Sequence, residues 1–358
     1  MGEPSSPVQL SGLILGNYRL EQPVEQHPWG PAFLARDKKG MAYLVRFIDL
    51  PLYEWAASER SERAIFLGRL QQEANRVALL RHPHILPLLD YGNHRGIPYL
   101  VYPYAQFPSL RSLLKRPVSS DLVSIGRYLD QIASALAYAH ERAVLHRNLS
   151  TRCIFLQSPQ HLMVADFGLM YMHQIGKQLA EIAHGKQQGP VYDGSSESSA
   201  PESLLNRPPE VATDVYALGA VLYRMLTGYP PFNGKTPEMV AQQHLSAQVP
   251  PLATWRPGLP AELDQVIGRA LAKEPSARFQ SPMALAEAYY QAVALGERPT
   301  RSYTMPGPLV PATSDPLGPG EPVQHAAQET GSGQKVSRRS FVVAGLGASA
   351  VAVIAAAV

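Results

Sequence analysis

The stretch LHRNLSTRCIF, residues 145–155, puts His146, Arg147, Asn148, Ser150 and Cys153 into one short loop. A His-Arg pair leads into a slot where a carboxylate would serve as a proton acceptor, and that slot holds Asn148. An amide keeps hydrogen bonds in place but takes no proton from a hydroxyl at neutral pH. Downstream, VADFGL supplies Asp166, a hard oxygen donor. Cys153 offers a soft thiol. It is the only cysteine, so the chain has no internal disulfide, in keeping with a reducing compartment. Two readings of it stay open: a buried apolar side chain, or a redox or zinc group.

Two kinds of segment must position these residues. Residues 18–104 alternate short β-rich runs with turns, in NYRLEQPV, GPAFLARD, MAYLVRFIDL and IPYLVYPYA, interrupted by one helical stretch over 59–80. From 110 to 294 the pattern turns helical. Leu122, Ile125, Leu129, Ile132 and Leu136 share one face of a predicted helix. TDVYALGAVLYRMLTG is apolar nearly all round and ends at Gly228, which predicts the centre of a helical lobe. The boundaries are then a disordered start over 1–16, a folded domain over 17–292, a Pro/Gly/Ser-rich linker over 293–337 and an apolar segment over 338–358.

Composition narrows the function classes. With 32 basic against 29 acidic residues, scattered rather than striped, the net charge of +3 argues against nucleic-acid binding. A hydrophobic content of 45% fits a globular core. The N-terminus lacks a secretory signal, although MGEPSS matches the letters of an N-myristoylation site at Gly2. Residues 340–358 carry no charge, and as a helix they would reach roughly 28 Å, close to a bilayer core. Lys335, Arg338 and Arg339 precede them and would hold the preceding chain on the cytoplasmic side of the cell membrane in a single-pass arrangement. A buried soluble helix is the alternative. SRRSF also resembles a twin-arginine export motif.

The ordered series YRL, GPAFLARD, QQEANRVALLRHPHIL, PYLVYPYA, LHRNL, VADFGL, SAPESL, DVYALGAVLYRMLTGYPPF and PSARF resembles the protein kinases, in particular bacterial membrane-anchored Ser/Thr kinases of the eukaryotic-like kind. The resemblance spans residues 18–291. It implies an α+β bilobal fold: a small antiparallel β lobe with one main helix, and a larger α-helical lobe. The linker and a C-terminal transmembrane helix follow.

Phosphoryl transfer in such a fold needs positioning, metal ions, charge compensation and a carboxylate beside the attacking hydroxyl. The resemblance carries each requirement to a position here. The family's phosphate-covering glycines fall at Glu25, His27 and Gly30, with Pro28 removing a further amide donor, so an ordinary hairpin is expected there. Val24 and Ala32 are further nucleotide-binding positions. The strand lysine is replaced by Arg46, and Glu73 takes the place of the helix glutamate, which implies an Arg46–Glu73 pair. In the loop, Asn148 replaces the base, Ser150 the lysine and Cys153 the second metal ligand. Loss of a general base typically costs about 10²–10⁴ in rate. Asp166 remains for one metal ion. Tyr102 falls at the gatekeeper position, with Pro103, Tyr104 and Ala105 as hinge. His146, Arg147, Glu202, Asp214 and Arg278 match the family's structural residues, Glu202 and Arg278 as an ion pair and Asp214 as holder of the loop backbone.

Reaction positions are substituted while scaffold positions are kept. The reading is a pseudokinase acting as signalling scaffold or allosteric partner of other signalling proteins or kinases, with weakened binding of ATP and magnesium. Two alternatives stand beside it: a slow Ser/Thr kinase, and the cytoplasmic receiver of a sensor whose exported domain lies beyond residue 358. The hydroxyl-rich GSSESSAPE is expected to be a solvated loop, or one that phosphorylation orders.

Overall fold

Period-two alternation of side chains fixes the small lobe. Six strands, β1 (Ile14–Leu15), β2 (Tyr18–His27), β3 (Gly30–Arg36), β4 (Ala42–Phe47), β5 (Asp90–His94) and β6 (Ile97–Pro103), form one antiparallel sheet in the order β1-β2-β3-β4-β6-β5. The computed structural model describes residues 10–27, 30–48, 60–104, 107–114, 121–169, 171–172, 175 and 196–296. Val45, Phe47 and Val101 point to one face, where they pack with Leu15, Leu20, Phe33 and Ala35 in a small apolar core. Arg46, Leu100 and Tyr102 therefore share the opposite face, towards the larger lobe. Arg46 opposes Leu100 and Leu44 opposes Tyr102, so Arg46 and Tyr102 are diagonal neighbours. β1 and β5 escape sequence reading: the first is two residues long, and DYGNH has no alternating apolar set. Helix α1 (Arg60–Ala78) follows the expected stretch closely.

The larger lobe holds α2 (Leu110–Leu113), α3 (Leu122–His140), α4 (Pro201–Leu204), α5 (Val211–Thr227), α6 (Pro237–Ser246), α7 (Glu262–Ala270) and α8 (Pro282–Gly296). Asp121 caps α3, its carboxylate accepting from Ser124 N at 2.6 Å. Ile125, Leu129, Ile132 and Leu136 are buried as the 3.6-residue spacing requires, and Leu122 packs half-buried against the same core. Helix α5 is buried over almost its whole length and stops at Gly228, whose φ of 83° needs no Cβ. Gly219 in α5 faces α7 so closely that a Cβ there would lie 2.7 Å from Ala270 Cβ.

An all-helical second lobe was too simple an expectation. β7 (Ile154–Ser158) and β8 (His161–Val164) form an antiparallel hairpin inside it. Its strands are too short to show a period, yet it pairs Ile154 with Val164 and brings the residues on either side together. Ala165 N donates to Cys153 O at 2.8 Å, so the 146–153 loop and Asp166 become neighbours. Val164 N also donates to His84 O at 2.9 Å, tying this hairpin to the chain that follows α1.

A second polar cluster locks the lobe. Arg278, 1% exposed, meets Glu202 through Nη1–Oε1 at 2.7 Å and Nη2–Oε2 at 2.8 Å, and the Thr213 hydroxyl donates to Glu202 Oε1 at 2.8 Å. Burial alone would raise the Glu202 carboxyl, but the Arg278 fork outweighs it and holds the group below its ordinary value. The sequence-derived ion pair is thus present. The N-terminal residues 1–9, the linker from residue 297 onward and the apolar segment over 338–358 lie outside the described residues. Among the described residues no helix is long and apolar enough to cross a membrane. Replacing Arg278 by Ala leaves Glu202 buried and uncompensated, and should cost about 3–5 kcal/mol of stability. Urea denaturation measures it, and a loss below about 1 kcal/mol would contradict the lock.

Candidate functional site

The loop that carries Asn148 is held by its backbone. Asp214, buried in the first turn of α5, accepts from His146 N at 2.8 Å and Arg147 N at 2.7 Å, and meets His140 Nε2 at 2.7 Å. Burial would raise the Asp214 carboxyl, but the His140 contact and the amide of His146 together hold it below its ordinary value. Arg147 is thereby kept at φ 66°, a left-handed conformation that costs a residue with a side chain roughly 1–2 kcal/mol. His146 is fully buried, which depresses its pKa and keeps the ring neutral. Its Nε2 donates to Ala165 O at 3.0 Å, joining the loop to the Asp166 segment.

The three substituted loop positions are all buried. Asn148 is 8% exposed, and its Nδ2 has no hydrogen-bond partner among the described residues, so the slot presents an amide donor where a base would accept a proton. Ser150 N donates to Cys153 Sγ at 3.2 Å, while the thiol donates to Ser150 O at 3.1 Å. Burial pushes the Cys153 thiol up to about 12. It is a protonated structural side chain, which favours the first of the two readings of this cysteine. No metal-holding cluster of His, Cys, Asp or Glu occurs among the described residues.

Asp166 joins the small-lobe sheet to the loop segment. It sits at φ 67°, 3% exposed. Arg46 Nη1 donates to Oδ1 at 3.0 Å and Oδ2 at 2.9 Å, and the Tyr102 hydroxyl donates to Oδ1 at 2.9 Å. The Arg46 guanidinium lies 5.7 Å from the Tyr102 ring centroid. Burial and the Asp166 charge raise the Tyr102 phenol well above its ordinary value, so it stays a donor.

The expected Arg46–Glu73 pair does not form. Glu73 instead faces Arg147 Nη1 and Arg76 Nη1, each at 3.6 Å. A guanidinium reaches farther than an ammonium, so Arg46 spans to Asp166, where its Nη1 alone meets both oxygens, and Glu73 turns to the loop arginine. The donor set does not suit the magnesium of phosphoryl transfer: both Asp166 oxygens already accept from protein donors, and Cys153 offers a protonated sulfur in place of hard oxygen.

The nucleotide-binding expectations divide. Ala32 is buried on β3 and Val24 is 41% exposed on β2. Strands β2 and β3 stay paired to His27 and Gly30, with Glu25 opposite Ala32 and the register broken between Leu20 and Glu25. Pro103 ends β6 half-buried; Ala105 and Pro28 lie outside the described residues.

Sequence reasoning missed Glu197. It binds Arg111 Nη1 at 2.8 Å, Arg224 Nη1 and the Thr151 hydroxyl at 3.3 Å, pinning residues 196–198 to α2, the loop and α5. Ser198 is buried and donates to Leu149 O at 2.6 Å, so this part of GSSESSAPE is built into the lobe rather than solvated. Only long-range partners reveal that role. Cys153 should resist alkylation by iodoacetamide at about pH 8 in the native protein and react fully once denatured. Mass spectrometry reads the outcome, and rapid native labelling would contradict the buried, protonated thiol.

Residues 55–290 match the family described as protein kinase domain. The chain is 31% identical over 298 residues to serine/threonine-protein kinase PknD of Mycobacterium tuberculosis, covering 82% of this chain and 42% of that protein. It is 29% identical over 268 residues to serine/threonine-protein kinase PrkC of Bacillus subtilis, covering 75% of this chain and 39% of that protein. A solved structure of the PknI kinase domain of Mycobacterium tuberculosis matches with a TM-score of 0.60 at 25% identity, over 79% of this chain and 98% of that one. The chain spans about four tenths of the length of these curated relatives. Kinases of this family use ATP with magnesium. With a bilobal α+β fold, a backbone-held HRN loop and a DFG segment in register with it, the chain belongs to the protein kinase family, among homologues of bacterial Ser/Thr kinases.

Proposed function

We propose that this chain is a pseudokinase, a protein-kinase fold that serves as a signalling scaffold or allosteric partner of other signalling proteins or kinases. One observation carries the reading: Arg46 pairs with Asp166 while Glu73 pairs with Arg147. Kinase chemistry needs the strand cation on the helix glutamate and the DFG carboxylate on metal at the same time. Here the strand cation is off Glu73 and takes up both Asp166 oxygens, and Asn148 offers no proton acceptor beside them. ATP binding is correspondingly weakened. Purified protein given radiolabelled ATP with magnesium or manganese should show no transfer above that of Asp166→Ala. Turnover that disappears in Asp166→Ala would overturn the reading and favour a slow Ser/Thr kinase, the activity named for PknD and PrkC.

The apolar segment over 338–358 serves, in this reading, as a single-pass anchor that keeps the kinase-like domain on the cytoplasmic face of the cell membrane. The support is the lack of charge over residues 340–358 and the basic residues Lys335, Arg338 and Arg339 just before them. The full chain should float with anionic lipid vesicles on a density gradient, and a chain ending at residue 296 should stay at the bottom. Equal behaviour of the two would remove the anchor from the proposal.

A further inference from the structure

The buried triad of Arg46, Tyr102 and Asp166 has a consequence for what the cleft can take up. The three side chains belong to residues that are 4%, 1% and 3% exposed, so the Asp166 charge is answered inside the protein rather than by water. Arg46 answers it with one full positive charge on both oxygens, and Tyr102 adds a hydrogen bond to Oδ1. A divalent ion reaching this carboxylate would have to displace both donors, and it would leave a guanidinium buried beside a doubly charged metal. It would also find no hard second ligand at Cys153, whose thiol donates to Ser150 O.

We propose that Arg46 has taken the place of the divalent cation at Asp166: the cleft carries its counter-charge covalently, Tyr102 closes it, and the protein is blind to magnesium and manganese with or without nucleotide. Arg46 and Tyr102 act here as positioning residues on Asp166. The inference rests on the geometry of these three side chains; only its nucleotide arm rests on reading the cleft as a kinase site.

The idea has a positive signature, because removing the resident cation should open a metal site. In Arg46→Ala the Asp166 carboxylate stays buried without a counter-ion, so the variant melts lower than the parent and manganese restores it. At a concentration about a hundredfold above its dissociation constant, manganese should raise the melting temperature of Arg46→Ala by about 5 °C or more. It should leave the full-length parent unchanged, with ATP present or absent, and the manganese electron paramagnetic resonance signal should show no protein-bound ion. Adding Asp166→Asn to Arg46→Ala should abolish the gain. If Arg46→Ala does not fold, Arg46→Gln carries the same test, since its amide fills part of the space without charge.

Manganese bound by the parent at submillimolar concentration overturns the proposal. So does a parent that ignores manganese while neither Arg46 variant acquires a response, because Arg46 would then not be what excludes the metal. The outcome is separable from the pseudokinase reading. Phosphotransfer by the parent in a chelator would overturn that reading alone, whereas transfer that requires magnesium would overturn both.

Discussion

The Asp214 carboxylate is the point from which the reaction loop is built. It is buried at the start of α5, the helix around which the larger lobe packs, and it spends its acceptors on the amides of His146 and Arg147 and on the His140 ring. Those partners include two backbone groups, and backbone groups do not change when side chains do. The loop keeps its path, including the left-handed Arg147, whatever occupies positions 148, 150 and 153. This separates the shape of the site from its chemistry. Asn148, Ser150 and Cys153 sit in a loop that needs none of them to be a base, a cation or a metal ligand.

The second constraint is charge. A buried carboxylate at Asp166 must be compensated, and the sheet supplies the answer through its pleat. Arg46 and Tyr102 lie on one face of β4 and β6 because Val45, Phe47 and Val101 occupy the other. That face looks towards the 165–169 segment, which the β7–β8 hairpin delivers to the same place. Glu73, relieved of Arg46, pairs with Arg147 and lies against Gly168, where an added Cβ would sit 3.5 Å from its Oε2. Two ion pairs thus exchange partners relative to the arrangement that phosphoryl transfer requires, and each charge still finds an opposite. The exchange leaves no bare charge at either position.

The Glu197 and Glu202 clusters show the same economy farther from the cleft. Glu197 joins α2, the loop threonine Thr151 and α5, while Glu202 takes the Arg278 fork and the Thr213 hydroxyl. Glu197 precedes α4 and Glu202 lies within it, and both give up solvation for charge-assisted bonds. Such ties hold the segment around α4 in place independently of what occupies the cleft.

Much of this was legible in the amino-acid sequence. Alternating runs such as YLVRF and YLVYP specify strands, the face of Leu122 to Leu136 specifies α3, and the apolar α5 ends at its glycine, because local periodicity records which side of an element meets the core. The identities at 46, 148, 150 and 153 already displaced the expected base, lysine and metal ligand, since acid–base and coordination chemistry belong to residue type. The sequence also held the Glu202–Arg278 pair through resemblance alone. What it could not hold was the choice of partner. By residue type Arg46 could pair with either Glu73 or Asp166, and which carboxylate it met depended on strand register, the β7–β8 hairpin and the Tyr102 phenol arriving at one point. Short strands without a period, and ion pairs between residues more than a hundred positions apart, are decided only when the chain has closed on itself, because their energy comes from desolvation that no local segment experiences.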